Sequence, residues 1–236
     1  MHVFLISPLG DSAIVSLRDE ELHHALKVLR CKEGDKAELL DGAGTSFLAE
    51  FIRISSREAE LKIIERNQLY KMPYRLHIAI APTKMMERFE WFLEKAVEIG
   101  VSEITPLITS RTERKVVKMQ RMQKITQSAL KQSRTAILPK LNNEISFTDF
   151  VKQTQFGDGF IAHCLTSPKE PLIKVARGSD ITVLIGPEGD FSPEEISLAL
   201  SGGYLAVSLG ESRLRAETAG IVACSQVQSA HLAATE

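Results

Sequence analysis

The chain has 236 residues, enough for one large domain or two small ones around a substantial core. Hydrophobic residues make up 44% and charged residues 25%, which excludes a disordered, collagen-like or fibrous protein. No apolar run approaches the roughly 20 residues that a membrane-spanning helix needs. The first residues, MHVFLISPLGDS, lack the cationic start and long apolar stretch of a secretory signal.

The three cysteines, Cys31, Cys164 and Cys224, are odd in number and far apart. They form no CxxC pair, so the sequence supports neither a disulfide framework nor a cysteine-based zinc site. We therefore expect a reduced, cytoplasmic protein without a metal centre.

Charge is unevenly distributed, although the net charge is only −1. Between Arg111 and Lys140, nine basic residues accompany a single acid, Glu113, which leaves eight net positive charges. A run of charge usually marks a solvated helix face. Charges of one sign also repel one another and lower stability unless an anion lies nearby, so a polyanionic partner is a second hypothesis.

Residues 1 to about 72 are predicted to be rich in β-structure. Residues 19–30, DEELHHALKVLR, instead have a helical period, with Leu22, Leu26 and Leu29 on one face and Asp19 as the N-cap. The predicted strands are separated by turn residues and cover 3–6, 13–17, 36–41, 46–55 and 59–65. This pattern predicts a small β-barrel with one inserted helix, followed by a linker at 66–73.

From Tyr74 onward, predicted strands and helices alternate. The strands cover 75–81, 103–108, 159–164, 181–186 and 204–210, and the helices cover 84–99, 117–134, 193–201 and 215–233. Such alternation predicts a mostly parallel sheet with helices on both faces. In sheets of this kind, ligands bind at the loops that follow the carboxyl ends of the strands.

Two glycine-containing loops follow predicted strands. The first glycine loop, residues 185–192, reads IGPEGDFS, and its sparse side chains let a ligand approach main-chain groups closely. The second glycine loop, residues 208–219, reads SLGESRLRAETA and places Arg213 and Arg215 beside a turn. It suits a phosphate site, although a plain surface turn is the commoner explanation. The small residues that follow it predict a close helix contact, either within the chain or with a second copy.

Five segments occur together in the order and spacing of one family: HHALKVLR, MERFEWFLEKAVEIGVSEITPL, ALKQSR, GPEGDFS and LGESRLRAETA. In these segments the chain resembles the small-subunit (16S) ribosomal RNA uridine-N3 methyltransferases of the SPOUT superfamily. The resemblance implies an α/β fold, with an RNA-binding PUA-like β-barrel at 1–72. It also implies a catalytic trefoil-knot domain at 73–236, S-adenosylmethionine as the cofactor, and a homodimer.

The resemblance also implies a set of site residues. The cofactor-binding residues would be Ile185, Gly186, Pro187, Glu188, Gly189, Leu209, Gly210, Ser212, Leu214 and Ala216. Asp190 stands where the family usually has glycine, Ser212 where arginine is frequent and Ala216 where threonine is frequent. We expect Arg213 to take the role of the missing arginine.

Methylation at uracil N3 requires an unpaired base and loss of the N3 proton, because N3 lies on the Watson–Crick edge. We expect Arg215 or Arg213 to stabilise the uracil anion, and Glu217 to act either as the base or only as a helix cap. The RNA backbone, within an assembled 30S subunit, would contact Arg30, Lys84, Arg88, Lys95, Arg111, Arg114 and Arg134.

Two alternatives remain open from the sequence. One is an RNA-binding assembly factor whose pocket no longer holds the cofactor, and Asp190 is its only support. The other is a SPOUT enzyme that acts on transfer RNA or on another atom, which the HHALKVLR segment and the predicted barrel argue against.

Overall fold

The computed structural model describes residues 1–10, 12–135, 137–153 and 157–233. Contacts divide the chain into two compact units, Met1–Lys71 with Gln127–Leu138, and Met72–Thr126 with Pro139–Glu236. The sequence division after residue 72 does not anticipate that residues 127–138 group with the first unit. In the described ranges, no helix combines the length and apolar character needed to cross a membrane.

The first unit contains one mixed sheet. In its described residues the strands follow the order β1-β3-β4-β5-β2, in which β1 and β3 run parallel and the other neighbours antiparallel. Their bounds are β1 (His2–Leu5), β2 (Ile14–Leu17), β3 (Lys36–Leu40), β4 (Thr45–Ile54) and β5 (Ala59–Gln68). Alternate residues of β4, Phe47, Ala49 and Phe51, are buried in one apolar cluster, so one face of the sheet covers the core.

The predicted helix at 19–30 forms two short segments. Helix α1 (Asp19–His23) leads into a π-helical turn at His24–Val28. Leu22 is buried, while Leu26 and Leu29 pack against the same core, as the helical period predicts. The N-cap prediction was wrong, because Arg18 occupies the cap and Asp19 is the first helical residue, with a φ of 47°.

The second unit is built on a larger sheet. Among the residues described, its strands follow the order β11-β13-β10-β12-β6-β7-β8, with β9 also paired to β7, and neighbouring strands run parallel. The bounds are β6 (Arg75–Ile80), β7 (Glu103–Ile108), β8 (Lys140–Leu141), β9 (Ile145–Ser146), β10 (Asp158–Ala162), β11 (Glu170–Pro171), β12 (Asp180–Ile185) and β13 (Leu205–Ser208). The prediction of a parallel sheet is confirmed.

Helices cover both faces of this sheet. They are α2 (Met86–Ile99), α4 (Phe147–Lys152), α5 (Leu172–Val175), α6 (Pro193–Ser201) and α7 (Ala216–Leu232). The first part of α3 (Met119–Ser133) packs against the same core, and its residues from 127 onward group with the first unit. Ile78 and Ile80 of β6 belong to one apolar cluster and Ala79 to another, so the strand is buried on both sides. The sequence did not reveal α4, α5, β8, β9 and β11, because each is too short for its periodicity to be recognised.

The small residues of α7 form a close contact within the chain. A Cβ atom added at Gly220 would lie 2.6 Å from the ring of Phe92 in α2 and 3.0 Å from Ile80 in β6. Only glycine therefore lets α7 approach α2 and the sheet this closely.

A polar cluster around the buried Glu103 carboxylate joins the amino ends of β6, β7 and β12. The Glu103 carboxylate pairs with Arg75, and accepts hydrogen bonds from Asn142 Nδ2 at 2.6 Å and Lys140 Nζ at 3.1 Å. Next to it, His77 Nε2 lies 2.7 Å from Thr105 Oγ1. Burial lowers the pKa of His77 to about 4. Burial alone would raise the pKa of Glu103, but the hydrogen bond from Asn142 and the neighbouring cations outweigh it and lower the pKa to about 2.

These two pKa values predict a loss of stability in acid. Below its unfolded value of 6.5, His77 binds a proton in the unfolded chain but not in the folded one, until about pH 4. Glu103 acts in the same direction from 4.5 down to about 2. The free energy of unfolding should therefore fall as the pH falls from 6.5, with His77 contributing up to about 3 kcal/mol. Urea titrations at a series of pH values measure this.

His77→Gln should flatten the pH dependence of stability between pH 6.5 and 4. The matched control is His23→Gln on the exposed side of α1, which should keep the full dependence. Equal slopes in the two variants would contradict the assignment to His77.

Candidate active site

A cleft lies at the carboxyl end of the parallel sheet in the second unit. Strand β12 leads directly into the first glycine loop, and β10, its neighbour in the sheet, ends beside it. The cleft has a volume of about 280 Å³, close to the lower end of the size range of small-molecule pockets. The residues that line it are Ala162, Cys164, Ile185, Gly186, Pro187, Glu188, Asp190, Arg213, Leu214, Arg215, Ala216 and Ala219. Both glycine loops therefore contribute to a single site.

The first glycine loop is a tight turn against the sheet. The backbone N–H of Asp190 donates to the carbonyl of Pro187 at 2.9 Å. A Cβ atom added at Gly186 would lie 3.2 Å from the ring and from the backbone nitrogen of Phe191, so glycine permits this packing. The loop ends in a capping box, in which Ser192 and Glu195 exchange hydrogen bonds at the start of α6.

Asp190 occupies a left-handed backbone conformation with a φ of 64°. Glycine adopts this region freely, which explains its frequency here in the family, and aspartate is one of the few other residues that tolerate it. The Asp190 carboxylate also accepts hydrogen bonds from the backbone N–H groups of Phe191 and Cys164, both at 2.8 Å. The departure at residue 190 is thus accommodated by the loop, which weakens the argument for a pocket that has lost its ligand.

The second glycine loop brings two arginines to the cleft. Arg213 Nη2 lies 3.5 Å from the backbone carbonyl of Glu188 and so connects the two loops. Arg215 is the N-cap residue of α7, and its exposed side chain has no hydrogen-bond or ion-pair partner within the described residues. An unpaired guanidinium at the rim of a cleft is available to an anion. Gly210 has a φ of 137°, a conformation that strains any residue with a Cβ.

The predicted site residues fall into two groups. Those that line the cleft are Ile185, Gly186, Pro187, Glu188, Leu214 and Ala216 of the cofactor set, with Arg213 and Arg215 of the catalytic set. Those outside the lining are Gly189, Leu209, Gly210 and Ser212. Leu209 packs partly against the core, and its carbonyl accepts a hydrogen bond from Gln226.

Four lining residues were missed in the sequence analysis: Ala162, Cys164, Asp190 and Ala219. Ala162 and Cys164 were placed in or beside a predicted strand, but only the order of strands in the sheet puts that strand next to β12. Strand adjacency in a parallel sheet is a tertiary property, so no local signal could have found them.

Glu217 lies outside the cleft lining. It is 6% exposed, and its Oε1 lies 3.8 Å from Arg88 Nε of α2, while its Oε2 is buried without a hydrogen-bond partner in the described residues. A carboxylate in this position faces a neighbouring helix.

The predicted RNA-binding residues of the second unit mostly have partners in the protein. Lys84 pairs with Glu113 at 3.0 Å, and the Arg114 guanidinium donates to the Lys84 carbonyl at 3.4 Å. Lys95 pairs with Glu94 and Glu98. The remaining residues of the set are Arg88, described above, Arg111, which contacts the first glycine loop, and two of the first unit, Arg30 and Arg134.

The charge run at 111–140 is less isolated than the sequence suggests. Its cations find carboxylates distant in sequence, in the pairs Arg121–Glu90, Lys131–Glu21, Arg134–Glu38 and Lys140–Glu103. The expectation of uncompensated charge was therefore wrong for these residues. The arginine and lysine side chains are largely exposed in three of the pairs, so their cations remain accessible to phosphate.

Within the part of the chain that the structure describes, no group of three or more histidine, cysteine, aspartate or glutamate residues is arranged to hold a metal ion. The described cysteines are free, with Cys31 and Cys224 buried and Cys164 exposed.

Two family models match the sequence. A model described as an RNA methyltransferase domain matches residues 70–228, and one described as an RNA methyltransferase PUA domain matches residues 17–64. Among curated proteins, the ribosomal RNA small subunit methyltransferase E of Synechocystis is 32% identical over 226 residues, covering 92% of this chain and 73% of that protein. The protein of the same name from Rickettsia conorii is 29% identical, covering 96% and 94%.

Solved structures agree with these matches. A protein of Porphyromonas gingivalis, described as a probable rRNA methyltransferase, has 37% identity and a TM-score of 0.90, covering 99% of this chain and 100% of that chain. The ribosomal RNA small subunit methyltransferase E of Neisseria gonorrhoeae, solved with S-adenosylmethionine bound, has 27% identity and a TM-score of 0.88, covering 98% of each chain.

The placement of Asp190 predicts an order of stability among three variants. Asp190→Ala should lower the free energy of unfolding by about 1–2 kcal/mol, since it removes two hydrogen bonds and leaves a Cβ in the left-handed region. Asp190→Gly should cost less, because it loses the hydrogen bonds but relieves the backbone strain. Asp190→Asn retains an acceptor oxygen and should stay closest to the parent. Urea denaturation of all four proteins tests this order, and equal stability of the alanine and glycine variants would contradict it.

These matches confirm the family that the sequence motifs predicted. The RNA methyltransferase model covers more than half of the chain, and the PUA model falls within the unit that carries the small mixed sheet. The predicted fold class, a parallel α/β unit preceded by a small PUA-like sheet, is confirmed with it. The chain belongs to the RNA methyltransferase family that includes the ribosomal RNA small subunit methyltransferases E.

Proposed function

We propose that this protein uses S-adenosylmethionine to methylate N3 of a specific uridine in small-subunit (16S) ribosomal RNA, within the assembled subunit. The observation that carries the proposal is the cleft that the two glycine loops build together at the carboxyl end of the sheet. The small-subunit RNA substrate is taken from the names of the relatives. The uridine N3 position rests on the sequence resemblance.

The composition of the cleft suits S-adenosylmethionine. Ile185, Leu214 and Ala219 offer apolar surface to an adenine ring, and the turn around Gly186 exposes main-chain groups for its polar edge. Glu188 and Asp190 place carboxylates near a cofactor that carries a sulfonium and an ammonium group, and Arg213 offers a partner for its carboxylate. Glycine at 186 and 210 keeps side chains out of the loop backbones.

The bound cofactor supplies an electrophilic methyl group. The protein then has to hold an unpaired uracil with N3 in line with that methyl group and stabilise the negative charge left when N3 loses its proton. We assign this stabilisation to Arg215, whose guanidinium lines the cleft and has no partner within the described residues. The Arg213 guanidinium contacts the backbone carbonyl of Glu188 and lies on the same side of the cleft.

Glu217 is assigned a positioning role. Its carboxylate faces Arg88 from within the α2–α7 contact and does not line the cleft, so it is poorly placed to take a proton from a base bound there. We propose that it fixes the direction of the half-exposed Arg88 side chain, which then contacts the RNA backbone.

RNA binding is assigned to both units. Residues 1–72 form the PUA-like domain and contribute Arg30. Arg134, which follows α3 and pairs with Glu38, groups with them. Residues 73–236 form the catalytic domain and contribute Lys84, Arg88, Lys95 and Arg114. Exposed cations of this kind bind phosphates without reading sequence, so their contribution should weaken with salt.

Three further features complete the proposal. The trefoil knot is supported by the chain path, in which β13 lies beyond β10 and the following α7 returns to pack against α2 and β6. The proposal that the protein is a homodimer rests on the resemblance of the sequence to the methyltransferase family. A cytoplasmic location rests on the sequence, whose three cysteines form no CxxC pair.

The decisive experiment is methyl transfer from labelled S-adenosylmethionine to small ribosomal subunits that lack the modification, followed by digestion to nucleosides. We expect label in 3-methyluridine, and about 100-fold slower transfer by Arg215→Ala, the typical cost of removing one group that stabilises a developing charge. Cofactor binding with no transfer to the subunit would favour another RNA target. Absence of cofactor binding would favour an assembly factor.

The role of Glu217 is tested by Glu217→Gln, Arg88→Ala and the double variant. A positioning role predicts that Glu217→Gln lowers turnover less than about tenfold, raises the KM for RNA, and adds nothing to Arg88→Ala in the double variant. A general base predicts instead a loss of about 100-fold or more in turnover with unchanged RNA affinity. Turnover and KM at a series of pH values separate these outcomes.

A further inference from the structure

Arg111 contacts the first glycine loop directly. Its Nη1 donates to the carbonyl of Gly189 at 2.7 Å and lies 3.4 Å from the carbonyl of Phe191. These carbonyls belong to the residues before and after Asp190, the residue with left-handed backbone, which lines the cleft. The guanidinium therefore holds the peptide that precedes the one strained residue of the loop, and also contacts the carbonyl of the residue that follows it.

A second hydrogen bond ties the same two segments together. The backbone N–H of Ser110 donates to Glu195 Oε1 at 2.7 Å, while Glu195 Oε2 accepts from the backbone N–H of Ser192 at 2.8 Å. Glu195 thus serves both in the capping box of α6 and as an anchor for the segment after β7. Thr109 and Thr112, buried and hydrogen-bonded to each other at 2.9 Å, fix that segment in turn.

The first glycine loop depends on such contacts, because few of its own side chains can hold it. Glycines at 186 and 189 leave backbone freedom that the chain must lose when a ligand binds, and that loss weakens affinity. A charge-assisted hydrogen bond from Arg111 removes part of this freedom before the ligand arrives.

We infer that Arg111 is a positioning residue for the cofactor loop, which it holds in its binding conformation from the segment after β7. This assignment differs from the RNA-contact role that the charge run suggested. It rests on the proposed function, because it takes the cleft to be the S-adenosylmethionine site. Its consequence is that a residue outside the cleft lining sets cofactor affinity.

The test compares Arg111→Ala, Arg111→Lys and Lys115→Ala. Lys115 lies in the same basic segment, is exposed, and has no side-chain partner among the described residues, so its variant is a matched control for lost charge. S-adenosylmethionine affinity is measured by calorimetry and RNA affinity by filter binding. Steady-state kinetics on small subunits then give KM for each substrate and kcat.

Arg111→Ala should weaken S-adenosylmethionine binding about five- to tenfold, less than the full effect of losing one charge-assisted hydrogen bond, because other contacts also hold the loop. The KM for the cofactor should rise with it while kcat at saturation changes less than twofold. Arg111→Lys, which keeps a single donor, should recover part of the affinity. Lys115→Ala should leave cofactor affinity unchanged and weaken only RNA binding.

The inference is overturned if Arg111→Ala binds the cofactor as the parent does and loses RNA affinity to the same extent as Lys115→Ala. Thermal unfolding of each variant shows whether a loss of cofactor affinity comes from global destabilisation. If the alanine variant is unstable, the cofactor affinity of Arg111→Lys tests the inference instead. Failure of the parent protein to bind S-adenosylmethionine would instead overturn the proposed function, and the inference with it.

Discussion

The site depends on how the backbone of residues 186–191 is held. Asp190 adopts a left-handed conformation in the middle of this loop, and its carboxylate stabilises that conformation by accepting hydrogen bonds from the N–H groups of Phe191 and Cys164. Arg111 binds the flanking carbonyl of Gly189 from the side of β7. Three strand ends, those of β7, β10 and β12, are therefore connected through one turn, which gives a side-chain-poor loop a defined shape.

This arrangement is possible because the sheet is parallel. The carboxyl ends of β10, β12 and β13 meet at one edge, so loops that are distant in sequence share one cleft. Helix α7 then starts at the cleft with Ala216 and packs along α2, where Gly220 allows the two helices to touch. The same contact buries Glu217 against Arg88, and the small residues of α7 thus determine which side chains face the cleft and which face the neighbouring helix.

The distribution of charge shows how tertiary contacts alter a sequence argument. The basic run at 111–140 has one acid within it, yet Arg121, Lys131, Arg134 and Lys140 pair with carboxylates that come from other segments. Arg111 likewise donates a hydrogen bond within the protein, to the carbonyl of Gly189. The positive charge that the surface presents therefore depends on the exposure and partners of each basic side chain more than on the number of basic residues in a segment.

Local patterns in the sequence predicted the longer elements, because alternation and helical period act over neighbouring residues: α2, α3, α6 and α7 and the main strands lie within a few residues of the predicted bounds. The motifs also pointed to both glycine loops, since glycine after a predicted strand marks a turn with few side chains. The structure alone placed β10 beside β12, brought Cys164 and Asp190 into one hydrogen-bonded turn, and turned Glu217 away from the cleft. These features depend on the order of the strands in the sheet and on the angle at which the helices pack. Both are determined by how the whole core is buried, so no single segment of the sequence predicts them.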